Sequence, residues 1–280
     1  MSWLQLDVRS ASIAAAALLV LALAVRPVPR RWTRFISAAA YETALVCGLF
    51  ALWQVANSVT HRAHSGGIAH GRAVWAAERW LHLPSEASAQ HLVLGHSWLV
   101  RAANYYYASA HLTGMAVFLV WLWLRHRDAY PRWRNVVVFF TAIALLIETI
   151  PVAPPRLIGH TGLVDTAMVY GQSVYTFVGS NLADQYAALP SIHVGWALLI
   201  GVAVWRVTTG VWRAVGAVHA VLTVLIVVVT ANHYWLDAGS AAAVLFAALA
   251  AESGRARLAA LLRARWPSAA PAQIQQGALS

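Results

Sequence analysis

Seven apolar runs dominate the chain, at residues 11–25, 36–59, 105–124, 135–152, 191–207, 212–231 and 234–251. Several approach the roughly 20 residues that a helix needs to cross a bilayer. The pattern predicts an all-α fold: a polytopic transmembrane helical bundle of about seven spans, or six if the first is not a span. That first run ends in "LALA", which imitates a signal-peptide cleavage site. Only Arg9 precedes it and four arginines follow at once, so we read it as an uncleaved helix. No internal repeat is evident.

Two longer polar segments interrupt the runs, at 60–104 and 153–190. The first contains "GRAVWAAERWLHLPSE", whose Val74, Trp75, Arg79 and Leu81 fit a short amphipathic helix on the membrane surface. After residue 251, "ESGRARLAALLRARW" sets Leu258, Leu261 and Leu262 on one helical face with arginines around them, predicting a second interfacial helix. The final "PSAAPAQIQQGALS" predicts a disordered end. The expected organisation is one integral membrane domain, 1–251, with its core at about 104–251, and a tail at 252–280.

Composition agrees. Of 280 residues, 60% are hydrophobic and 11% charged, against about 25% charged in a soluble domain. The formal net charge is +10, and every basic residue is arginine. A basic balance can signal nucleic acid. Here the arginines sit in short loops between apolar runs, so they are topology signals and no nucleic-acid partner is expected. Loops 26–35, 125–134 and 206–213, with the tail, hold fourteen arginines on one side; the other side holds six. The positive-inside rule then puts the C-terminus in the cytoplasm and the N-terminus outside, in a multi-pass cell-membrane protein. A single cysteine, Cys47, excludes an intrachain disulfide and a cysteine-based metal site.

The alternation of spans brings three polar clusters to one face. The fourth run ends in "ETIPVAPPRL", the fifth opens on "PSIHVG", and "TANHYWLDAGS" joins the sixth to the seventh. Arg156, Ser191, His193, His233 and Asp237 should therefore converge on the extracytoplasmic side. Each alone has a plainer role. Arg156 could snorkel to headgroups, Ser191 could cap a helix, and Asp237, one turn after His233, could be structural. Together, ionisable residues at span ends are candidates for function.

The chemistry that fits is phosphoryl transfer through a phosphohistidine. A neutral imidazole must aim a lone pair at phosphorus, and a carboxylate one turn away can hold its other N–H. His233 and Asp237 suit those roles. His193 can protonate the leaving alkoxide and later act as base. Arg156 can grip phosphate oxygens in a bidentate way. Ser191 and the N-terminus of the fifth span offer an anion their N–H groups. Two histidines and an aspartate could also ligate zinc, but the arginine and the helix N-terminus favour an anion, so no metal and no cofactor is expected.

At these residues the chain resembles the type 2 phosphatidic acid phosphatase superfamily, which carries an arginine element, then Pro-Ser-x-His, then His-x-x-x-Asp. Here these are "PPRL", "PSIH" and "HYWLD". The longer forms "APPRL", "LPSIHVGW" and "ANHYWLD", with "NYYYASAH" at 104–111, look most like the branch of inositol-phosphorylceramide synthases and their bacterial relatives. The resemblance covers roughly 104–245. It implies an α-helical membrane fold, His233 as nucleophile, Asp237 as its partner and His193 as general acid. It also implies Arg156 and Ser191 as phosphate binders, without a metal. The phosphatase form has a lysine seven positions before its first arginine, where this chain has Thr149. It has an arginine six before the nucleophile, where this chain has Val227. Phosphate grip then draws on another group, such as His160 or Tyr106.

Asn104, Tyr105, Tyr106, Tyr107 and His111 lie at the outer end of the third run. They either line a substrate or acceptor pocket or form an interfacial aromatic belt. The expected activity is cleavage or transfer of a phosphate ester on a membrane lipid, with water or a second alcohol as acceptor; the residues do not choose between these. The alternative is a non-catalytic membrane transporter or lipid-binding protein, for which Glu42 and His219 would hint at an ion path.

Overall fold

The computed structural model describes residues 7–62, 64–171 and 185–265. Among them are ten α-helices. The first two form a hairpin: α1 (Val8–Val25) and α2 (Arg31–Arg62). Asp7 caps α1 by accepting the Ser10 amide at 2.8 Å, and Ser37 ties the hairpin by donating to the Ala22 carbonyl at 2.7 Å. Two shorter helices follow, α3 (His64–Trp80) and α4 (Glu86–Leu94). The remaining long helices are α5 (Ser97–Arg125), α6 (Tyr130–Ile147), α8 (Ile192–Val207), α9 (Val211–Val229) and α10 (Trp235–Arg265), with the short α7 (Thr166–Val169) between α6 and α8.

Each of the seven apolar runs falls on a helix. Five of these helices are long and apolar enough to cross a membrane: α1, α2, α5, α9 and α10. The other two differ for separate reasons. Helix α6 opens on polar residues, Arg132, Arg134 and Asn135 among them. Helix α8 has 16 residues, or about 24 Å at 1.5 Å per residue, less than the ~30 Å hydrocarbon core.

The core gathers where α5, α6, α8 and α10 meet, around Phe118, Leu122, Trp133, Phe140, Leu199 and Leu245. Glycine permits two of the close approaches. A Cβ on Gly195 would lie 1.8 Å from the Phe140 ring, and one on Gly201 would lie 3.1 Å from the Gly216 carbonyl. Helix α8 thus packs tightly on both α6 and α9, as small residues allow in membrane bundles.

Two expectations change. The amphipathic segment turns its Val74 and Trp75 onto Val152, Ala188 and Tyr234, so this face packs on protein, not on lipid. Nor is there a separate interfacial helix after residue 251: α10 runs without a break to Arg265, because no Gly–Pro signal interrupts a run of good helix formers. The disordered end expected at 267–280 lies outside the described residues.

Candidate active site

Helix α9 ends in a Schellman turn. The Ala231 amide donates to Val228 O at 2.9 Å and the Asn232 amide to Val227 O at 3.1 Å, the paired bonds of that motif. Its left-handed position, usually glycine, is Ala231 at φ +54°. Such strain costs about 1–3 kcal/mol and gathers at functional sites. The turn delivers His233 and Tyr234 to the start of α10. There Asp237 Oδ2 accepts the Tyr234 amide at 2.9 Å, the back-reaching half of a capping box.

The same carboxylate oxygen lies 3.2 Å from His233 Nδ1, and the Ala188 carbonyl lies 2.8 Å from it. A carbonyl only accepts, so Nδ1 carries the proton. In the neutral ring, Nε2 then holds the lone pair; it is buried and makes no hydrogen bond. The ring itself is 4% exposed. His193, in the first turn of α8, has its ring centroid 5.6 Å from that of His233. Tyr107 stacks on His193 at 4.3 Å and 14°, and His111 meets its other neighbourhood at 4.1 Å. Three helices, α5, α8 and α10, thus frame two histidines, one held by a carboxylate.

Arg156 lies in a short 3-10 turn, Pro155–Leu157. Its amide donates to Ala231 O at 3.1 Å, Nη1 to Asn232 Oδ1 at 2.6 Å and Nε to Asp165 Oδ2 at 3.1 Å. The guanidinium is therefore bound to the residue just before His233. Ser191 is the N-cap of α8: its hydroxyl accepts the Val194 amide at 3.3 Å, and its own amide donates to Asp237 O at 3.4 Å. The five residues expected on one face do come together.

The aromatic stretch divides. Tyr106, Tyr107 and His111 line a cavity of about 10 Å³ beside His193, with Trp196, His219 and Thr223. That is room for about one water. Tyr106 Oη pairs with His219 Nδ1 at 2.7 Å and Thr223 Oγ1 at 2.9 Å. Two of the expected pocket residues point elsewhere. Tyr105 is 65% exposed, and Asn104 Oδ1 accepts from Thr166 Oγ1 at 2.9 Å. Thr149 bonds the Leu146 carbonyl, Val227 is core, and His160 is exposed. Among the described residues, no group of three or more His, Cys, Asp or Glu is placed to hold a metal ion.

Three participants escaped sequence reasoning. Asn232 sits inside the quoted "ANHYWLD", so its position was visible though its bond to Arg156 was not. Asp165 carried no local signal. Glu78, in the segment read as a surface helix, is fully buried and accepts the Leu236 amide at 2.7 Å.

A family model described as the PAP2 superfamily matches residues 72–251. The chain belongs to the PAP2 superfamily. The match starts inside α3, so the family unit includes the second half of α3 and all of α4, about thirty residues before the core expected from the motifs. It omits the α1–α2 hairpin. No curated protein and no solved structure matches the chain. Membership of this superfamily supports a phosphatase-like activity in a protein with several membrane-compatible helices.

Proposed function

We propose that the chain cleaves or transfers a phosphate ester of a membrane lipid through a phosphohistidine on His233. The observation that carries this reading is the state of the His233 ring. Its Nδ1–H is held by Ala188 O and Asp237, while its Nε2 is buried, unbonded and near a second histidine.

In the first step Nε2 attacks phosphorus and the P–O bond to the lipid breaks. His193, protonated, gives its proton to the leaving alkoxide. Asp237 stabilises the charge on the ring that forms. In the second step neutral His193 takes a proton from an incoming hydroxyl, whose oxygen displaces Nε2. Water gives inorganic phosphate; an alcohol gives a new ester. Arg156, held by Asn232 and Asp165 beside the His233 loop, binds phosphate oxygens. The start of α8 supplies N–H groups beside it. The motif resemblance to inositol-phosphorylceramide synthases keeps a polyol or lipid acceptor beside water as the second substrate. The arginine asymmetry supports a site at the outer face and a cytoplasmic C-terminus.

Rapid-quench labelling tests the assignment. His233→Ala should take up no label from any substrate. His193→Ala should lose roughly 10²–10⁴-fold with a lipid phosphate, yet still label with nitrophenyl phosphate, whose leaving group needs no proton. If His193→Ala labels no better with the activated ester, the acid assignment is wrong. Product analysis with and without added alcohols separates hydrolysis from transfer. Activity should survive chelators; loss in EDTA, restored by zinc, would mean a metal reaction. A reporter at the C-terminus should behave as cytoplasmic.

A further inference from the structure

The stretch "GRAVWAAERWLHLPSEASAQ" ends α3 and begins α4 around a tight turn. His82 takes φ +55° there, and the Leu83 amide donates to Glu78 O at 3.0 Å. The turn folds Glu86 back toward Glu78. Both side chains are 0% exposed. A buried carboxylate is costly unless it is paired, and here two carboxyls share one nearby cation. Arg79 Nη2 lies 3.1 Å from Glu86 Oε2 but 3.8 Å from Glu78 Oε2.

The remaining oxygens show how the deficit is met. Glu78 Oε1 accepts the Leu236 amide at 2.7 Å, in the first turn of α10. Glu78 Oε2 and Glu86 Oε1 are buried with no hydrogen-bond donor, and both carboxyls converge on the single Arg79 Nη2. One proton between them satisfies both atoms. It also leaves the Glu78–Glu86–Arg79 group neutral. Without that proton, a net negative charge would sit against the first turn of α10, next to the Asp237 carboxylate.

We propose that Glu78 and Glu86 share one proton at neutral pH, and that the protonated pair is a positioning device for the proposed reaction. It grips the Leu236 N–H, one residue before Asp237 and three after His233. The grip sets where α10 begins, and so where Asp237 meets His233 Nδ1. The kinetic part of the proposal rests on the phosphohistidine reading.

The groups facing Glu78 are Arg79 on its own helix, Glu86 on α4 and, on α10 and the residue before it, Asp237 and the Tyr234 phenol. Burial first, and then the bond to Glu86, push the Glu78 carboxyl up to about 9. Between the ordinary value of 4.5 and about 9, the folded protein keeps a proton that the unfolded chain has released. Stability therefore falls as pH rises through that window, and turnover should fall as the pair loses its proton near the upper end.

Glutamine at position 78 separates a shared proton from simple packing. Its oxygen can accept Leu236 N–H and its NH₂ can donate to Glu86 without titrating. In the full-length protein, Glu78→Gln should keep labelling of His233 and lose the alkaline fall in turnover. Glu78→Leu has neither group and should lose about 10²-fold at every pH, the order expected for a misplaced catalytic group. If Glu78→Gln keeps the alkaline limb, or falls as far as Glu78→Leu, the proposal is overturned. Infrared spectroscopy gives a readout independent of activity. Wild type should show a protonated-carboxyl C=O band at pH 7 that disappears in Glu78→Gln; no such band would overturn the shared proton. A wild type with the band but no label on His233 would instead sink the phosphohistidine reading and leave the carboxyl pair standing.

Discussion

The α1–α2 hairpin and the α3–α4 segment invert what hydropathy suggests. The hairpin is the more membrane-like: both helices are apolar enough to span, and Ile13, Val20, Leu23, Trp32, Phe35 and Val46 are exposed, as lipid-facing residues would be. Its polar contacts with α6 include Glu42, which pairs with Arg134 and accepts from Tyr130 Oη, and Tyr41, whose ring lies 5.0 Å from the Arg134 guanidinium. The α3–α4 segment is polar enough to pass for a surface element. It nevertheless buries Glu78, Glu86 and Gln90 completely and reaches the histidine loop. Apolar length therefore marks helices that a membrane can accommodate. Burial of polar groups marks where the chain commits stability to one geometry, because each such group costs free energy unless its partner is in place.

Substitutions in the two regions should differ accordingly. The largest effect is expected at Gln90, whose amide donates to Val164 O at 2.9 Å and Val229 O at 3.1 Å and accepts Val164 N at 2.8 Å. Gln90→Leu orphans three half-buried backbone groups, together worth about 1–3 kcal/mol or more. Thermal unfolding in detergent should show a large drop, with loss of turnover.

Gly71→Ala comes next. Its Cβ would lie 2.6 Å from Ala153 O and 2.7 Å from the Ile158 side chain. Overpacking of that kind costs about 1–3 kcal/mol, and it should displace the loop that carries Arg156. A rise in KM for the phosphate substrate would report that shift.

Tyr234→Phe removes a buried hydroxyl that donates to Ala153 O at 2.9 Å and lies 3.2 Å from Gly71 O. The expected cost is about 1 kcal/mol, read from the same melting curves.

The smallest effect belongs to the hairpin. The Glu42 side chain is 34% exposed, and a pair of that kind is worth about 0–1 kcal/mol. Glu42→Gln should leave turnover unchanged. Should Glu42→Gln lower turnover more than Tyr234→Phe does, the contrast between the two regions fails, and an ion path through the hairpin regains interest.

Much of this was legible in the order of residues alone. Apolar periodicity located seven helical runs, since lipid-compatible length is a local property. The alternation of spans was enough to bring Arg156, Ser191, His193, His233 and Asp237 to one face. The i,i+4 spacing placed Asp237 beside His233, because a helix turn is also local. The three motifs marked the family. What only the tertiary structure decided concerns partners distant in sequence. Glu78 meets Leu236 across 158 positions and Gln90 meets Val229 across 139. Ala188 selects the tautomer of His233 across 45 positions. No local pattern encodes these pairings. They follow from helix packing, which brings backbone groups freed at helix ends into reach of side chains elsewhere in the chain. Each is then held by the cost of leaving a buried polar group without its partner.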